Sequence, residues 1–161
     1  MNIIHHNNDF EEYENFNELP QNDQQLMNEA RKAAKDAYAP YSKFHVGAAL
    51  LLENGIIVRG NNQENAAYPS GLCAERVALF SAGANHPGIK INAIAIHAYA
   101  ENQKELPQAV GPCGACRQVM AEYEHRYRGK LRLIMQGENR KFIVSHNVNQ
   151  LLPFMFNADN L

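Results

Sequence analysis

Cys113 and Cys116 stand three residues apart in Pro112-Cys113-Gly114-Ala115-Cys116, and Cys73 lies far upstream in Cys73-Ala74-Glu75-Arg76. On a helix that three-residue step leaves the two side chains about 60° apart around the axis, so both sulfurs can face one ion. Three thiolates without an obvious fourth protein ligand describe a catalytic zinc site, whose open position is left for water. His86, His97 and His125 are the histidines that could close a structural site instead, and none has a ligand-like spacing such as H-x-x-x-H. A C-x-x-C pair alone is shared with redox motifs and structural zinc knuckles, so the residues around it must decide.

Two neighbours of Cys73 carry that decision. Three thiolates make a negative site, which weakens a metal's hold on the proton balance of its water. Arg76, one turn beyond Cys73 on the same face, can donate to the ligand sulfurs and offset part of that charge. Glu75 is two residues from Cys73, which in a regular helix turns it about 160° away. It reaches the metal's open position only if Cys73 is a cap residue at the helix start, and a carboxylate there is the expected general acid and base. Cysteines at helix starts also sit in positive potential, which favours thiolates.

The elements that must position these residues are legible in outline. Residues 1–22 are polar, with Phe10, Tyr13 and Phe16 scattered among them, and read as a loosely ordered N-terminal extension, packed on the body by those aromatics, ahead of one domain over 23–161. Leu26, Met27, Ala30, Ala33, Ala34, Ala37 and Tyr38 recur at helical spacing, with Asn22 and Gln25 as a capping box and Pro40 as the stop. Residues 44–52 and 56–60 flank Glu53-Asn54-Gly55 as a hairpin. A helix follows Cys73 over 74–82, then a strand over 91–99, a helix over 115–127 opened by Cys113, strands over 131–135 and 142–145, and a short helix over 147–152. That order predicts an α/β fold, a three-layer α/β/α sandwich around a mixed five-stranded sheet.

With 161 residues, 45% of them hydrophobic, the chain can close a core without disulfides. Its 15 basic and 17 acidic residues supply no field for DNA, RNA or an acidic membrane, so a small neutral partner is expected and nucleic acid is not. No apolar run approaches the roughly 20 residues of a membrane span, and the first residues lack the pattern of a signal peptide. A cytoplasmic location is expected, in keeping with three cysteines, an odd number for a disulfide framework.

Taken together, Cys73-Ala74-Glu75-Arg76 and Pro112-Cys113-Gly114-Ala115-Cys116-Arg117-Gln118 resemble the cytidine deaminase family in its three-cysteine, homotetrameric class. The likeness runs over residues 25–156. The segment from Ala37 to Ala48 is similar to the family's opening segment, which implies that Phe44 lines a pyrimidine pocket. Asn62-Gln63-Glu64-Asn65 resembles its ribose-binding segment, and the residues themselves agree, since Asn62 and Glu64 point to one side of an extended chain and can hold a 3′-hydroxyl. The segment 151–156 is similar to the C-terminal segment whose last aromatic, here Phe156, enters a neighbouring subunit's site. The resemblance further implies one zinc per subunit on Cys73, Cys113 and Cys116, Glu75 as the proton carrier, and backbone N–H groups near Ala74 and Cys113 facing the base. Pro112 and Arg76 support the ligands. The implied activity is hydrolytic deamination of free cytidine and 2′-deoxycytidine in pyrimidine salvage, by a homotetramer with shared active sites. A polynucleotide-editing deaminase, a deaminase of a modified nucleoside such as blasticidin S, and a non-catalytic zinc module are the competing readings.

Overall fold

The computed structural model describes residues 1–6, 8–103, 106 and 109–161. Six strands form one sheet in the order β1-β6-β5-β4-β2-β3. They are β1 (Glu11–Tyr13), β2 (Phe44–Leu52), β3 (Ile57–Asn61), β4 (Ile91–Ala100), β5 (Arg132–Gln136) and β6 (Phe142–Ser145), and the helices are α1 (Gln21–Lys35), α2 (Ala74–Asn85) and α3 (Gly114–Tyr127). Of the neighbouring strands, β4 and β5 run parallel and every other pair is antiparallel. Parallel neighbours need a crossover, and α3 is that crossover. The sheet is therefore mixed, as expected from the element order.

Strand alternation divides the core. Ala49, Ala93, Ala95, Ile134 and Val144 pack with Leu26, Met27 and Ala30 of α1. Ala48, Leu50, Ile94, Ile96, Leu133 and Met135 face the other way and pack with Ala74, Ala78 and Leu79 of α2 and Cys116 and Met120 of α3. That is the three-layer sandwich. The helices approach the sheet closely at two glycines: a Cβ on Gly47 would lie 2.1 Å from the Ala30 carbonyl oxygen, and one on Gly60 would lie 2.4 Å from the Ala78 nitrogen. Neither position has room for a side chain.

The β2–β3 hairpin turns at Gly55, whose φ of +84° is the left-handed conformation anticipated from Glu53-Asn54-Gly55. Three expectations need correction. The sheet has six strands, not five, because Glu11–Tyr13 pairs with Phe142–Val144 along the open edge of β6. Phe16 also packs against Phe142, and Leu19 is fully buried, so this part of the extension is ordered on the body. Second, α1 is capped at Pro20, with no side-chain capping bond, so the capping box at Asn22 and Gln25 does not form. The acidic residue of the first turn, Asp23, instead pairs with Arg132 of β5, tying the helix start to the sheet. The helix ends at Lys35, before Ala37 and Tyr38. Third, the expected helix over 147–152 is a single 3₁₀ turn, Val148–Gln150, capped by the Asn147 side chain.

Candidate active site

The two cysteine segments meet at one end of the α2 and α3 layer. Cys73 is the N-cap of α2 and Cys113 the N-cap of α3, both with extended backbone, φ −71° and −66°. Each helix thus begins one residue after its cysteine. This cap geometry is what lets Glu75 turn inward: it sits in the first turn of α2, only 4% exposed. Cys113 follows β4 on the crossover to its parallel neighbour β5, and functional residues of open α/β sheets gather at the carboxyl ends of such strands.

Sγ of Cys73 lies 3.8 Å from Sγ of Cys113, and Sγ of Cys113 lies 3.5 Å from that of Cys116. All three fall within 4.8 Å of one another. Sulfurs on a tetrahedral zinc at Zn–S of about 2.3 Å stand about 3.8 Å apart, so the spacing and the donor set both fit that ion. The three cysteines are free, with Cys116 buried and Cys113 exposed, which leaves an approach from solvent.

The electrostatics are those of a metal site. A hydrogen bond from the Cys116 thiol, aided by the Arg76 guanidinium, brings the Cys73 thiol down to about 5 despite burial, while its partner Cys116 is driven upward by that same pairing. Of this pair, Cys73 is the thiol that ionises first. Arg76 Nη2 donates to Cys73 Sγ at 3.6 Å, the contact its three-residue spacing suggested. Burial raises the Glu75 carboxyl above the ordinary range, reinforced by the charge of Cys73 and opposed by a hydrogen bond from its own backbone N–H. A carboxyl so placed holds its proton more readily than a solvated one.

Asn62 and Glu64 share a side, as their spacing required, and both reach the Tyr41–Val46 segment. Asn62 donates from Nδ2 to the Phe44 carbonyl at 2.9 Å, and its Oδ1 accepts from Val46 N at 2.8 Å. Glu64 Oε2 accepts from the backbone N–H groups of Tyr41 and Ser42, and the Ser42 side chain, aided by these two groups, lowers its carboxyl. Phe44, half-buried, starts β2 and is held between these contacts. Ala74 is fully buried at the start of α2, and Pro112 is buried ahead of Cys113. Phe156 lies on the surface, 59% exposed.

Two residues of the cysteine segment have positions that sequence reasoning left without a role. Arg117 donates from Nε to the Pro112 carbonyl at 2.8 Å and from Nη1 to the Leu151 carbonyl at 2.9 Å. Gln118 Nε2 donates to the Phe156 carbonyl at 2.7 Å. Together they fasten the C-terminal segment to the helix that carries Cys113 and Cys116. The carbonyls of Leu151 and Phe156 are more than 30 positions away, which no local pattern announces.

Three sulfurs gathered at two helix starts beside a buried carboxyl, on a mixed sheet, define a metal-site α/β enzyme. The cytidine and deoxycytidylate deaminase zinc-binding region matches residues 20–127. A cytidine deaminase of Halalkalibacterium halodurans is 42% identical over 142 residues, covering 86% of this chain and 96% of the relative. One from Sporosarcina psychrophila is 41% identical over 139 residues, again 86% of this chain and 93% of the relative. The crystal structure of the Burkholderia pseudomallei cytidine deaminase superposes with a TM-score of 0.71 at 38% identity, covering 86% of this chain and all of that one. The chain belongs to the cytidine and deoxycytidylate deaminase family.

Proposed function

We propose that the protein is a zinc-dependent hydrolase that deaminates free cytidine and 2′-deoxycytidine to the uracil nucleosides, releasing ammonia. The observation that carries this reading is the buried Glu75 carboxyl in the first turn after Cys73, beside a three-sulfur cluster of zinc dimensions. Cys73, Cys113 and Cys116 would hold the ion. Zinc bound there supplies the Lewis acidity that makes water nucleophilic toward C4 of the pyrimidine.

The remaining work falls to the chain. Glu75 takes a proton from the water, delivers it to ring N3 and then carries a second to the departing amino group, a cycle suited to a carboxyl raised by burial. Arg76 holds negative charge on Cys73 and so sets the potential in which Glu75 titrates. The first N–H groups of α2 and α3 have no partners within their helices and offer donors to the base. Phe44 supplies a face for the ring. Asn62 keeps one amide hydrogen beyond its bond to Phe44, and both backbone N–H bonds to Glu64 fall on Oε2, so the pair offers a donor and an acceptor for a 3′-hydroxyl. A free 3′-hydroxyl favours a nucleoside over a polynucleotide.

Assembly as a homotetramer with one zinc per subunit completes the proposal. Phe156 has its backbone fastened by Gln118 while its ring faces outward, an arrangement that suits insertion into a neighbouring subunit's pocket. A cytoplasmic, reducing setting would keep the three thiols available. Among the described residues no helix is long and apolar enough to cross a membrane.

An ammonia-release assay on the zinc-loaded protein tests the reading with cytidine, 2′-deoxycytidine, cytidine 5′-monophosphate and a cytidine-containing oligonucleotide. Turnover of the two nucleosides with little or none of the others is expected. Preference for the oligonucleotide or the monophosphate would replace the nucleoside assignment, and no turnover of any would remove the enzyme reading.

A further inference from the structure

The opposite face of the sheet carries a second cavity. Its volume is about 610 Å³, within the range of small-molecule sites, and its walls are Asn28, Arg31, Lys32 and Lys35 of α1 with His97 and Tyr99 of β4. The four helical residues follow i, i+3, i+4, i+7 spacing and so form one stripe along α1. His97 and Tyr99 are two apart on β4 and point to the α1 face, as Ala93 and Ala95 do. Cys73 and Cys116 belong to the other layer. A smaller adjoining hollow of about 270 Å³ shares Arg31 and His97 and reaches Gln136.

The charge there lacks its complement. No carboxylate lines the larger cavity among the described residues. Lys32 is neutralised by Glu29 at 2.6 Å, whereas Arg31 has, among the described residues, only Asn28 Oδ1 at 3.2 Å and the faces of Phe16 and Phe142. Lys35 has no polar partner among the described residues. Beneath this positive wall His97 and Gln136 lie side by side, both partly buried. A half-buried guanidinium stacked on an aromatic ring is already oriented, so its fork is available to a phosphate without further ordering.

We propose that this cavity is a second binding site, for a small phosphorylated molecule, with the phosphate on Arg31 and Lys35 and the remainder of the ligand against Tyr99 and His97. A phosphate group supplies acceptors to the two cations. The deamination machinery shares none of these residues.

The test is isothermal titration calorimetry on the full-length, zinc-loaded protein with inorganic phosphate, ribose 5-phosphate and ribose. One phosphate-dependent site per chain is expected, with ribose silent. Tighter binding of ribose 5-phosphate assigns the natural ligand to sugar phosphates, and equal binding assigns the site to phosphate itself. Lys35→Ala and Arg31→Gln should each weaken binding by about tenfold or more, and Glu75→Gln should leave it unchanged. Should Arg31→Gln lose its fold for want of the Phe16 stack, Lys35→Ala and His97→Phe carry the comparison. No heat up to about 10 mM of either phosphate, or binding that ignores Lys35 and vanishes with Glu75→Gln, would overturn the proposal.

Discussion

Cys73 and Cys113, forty positions apart in the chain, bring their sulfurs to 3.8 Å because each caps a helix packed on the same face of the sheet. Both helix starts are then anchored at one point. Removing either sulfur from a three-ligand set should release the ion and loosen the first turns of α2 and α3 together. Cys113→Ala is expected to lose its zinc by elemental analysis and to melt lower than the loaded wild type. A variant with normal metal content would refute the ligand assignment.

Glu75→Gln keeps the shape of the first turn of α2 and leaves all three sulfurs in place. Zinc content should stay at the wild-type level while turnover falls by roughly two to four orders of magnitude, the usual worth of a positioned acid and base. Near-normal turnover in the loaded variant would transfer the proton-carrying role to another group.

Phe156 tests the proposal of a homotetramer with a shared pocket. Loss of its ring should weaken nucleoside binding by about 1 kcal/mol beyond the area removed, without loss of zinc. A Glu75→Ala chain can lend its Phe156 but cannot do the chemistry, and a Phe156→Ala chain can do the chemistry but lacks the ring. Tetramers refolded from a mixture of the two should recover some sites with the wild-type KM. Verified mixed tetramers with no recovery would place each pocket within a single chain.

His97 gives the stability a pH dependence of known sign. Burial, with the charge of Arg31, lowers its imidazole from the ordinary value to about 4. Between that value and the unfolded value of about 6.5 the unfolded chain binds the extra proton, so this contribution is full above pH 6.5 and is lost as pH falls toward 4. After allowance for its partial exposure, the loss is on the order of 2 kcal/mol. Urea unfolding of wild type and His97→Asn at pH 7 and pH 4.5 should show the variant losing less stability between the two. Equal losses would mean that His97 titrates normally in the folded chain.

Truncation to Pro20 separates packing from chemistry. It removes β1, the Phe16 ring against Phe142 and the buried Leu19, and on area grounds costs roughly 3 kcal/mol or more. Thermal unfolding should shift down while turnover by the folded, zinc-loaded fraction is kept. Lost turnover in an intact, loaded oligomer would give the extension a part in the site.

Sequence alone determined the features that repeat locally. Apolar runs located β2 to β6 to within a residue or so, Glu53-Asn54-Gly55 placed the hairpin, and the two cysteine segments, by residue type and spacing, pointed to a three-thiolate site with Glu75 and Arg76 at its side. Even the condition for Glu75 to turn inward, a cap position for Cys73, follows from the helical repeat. The structure supplied what depends on distant partners. Glu11–Tyr13 has no apolar alternation and is a strand only because β6 offers an open edge. Asn22 and Gln25 have the residue types of a capping box, but Asp23 found Arg132, 109 positions away, and the helix start followed that pair. Arg117 and Gln118 acquire roles from carbonyls of the C-terminal segment. The cavity of Arg31, Lys35 and His97 exists only where α1 crosses the end of β4. Periodicity and spacing are properties of neighbouring residues and survive in one dimension; edge pairing, long-range ion pairs and cavities arise only when elements remote in the chain are packed together.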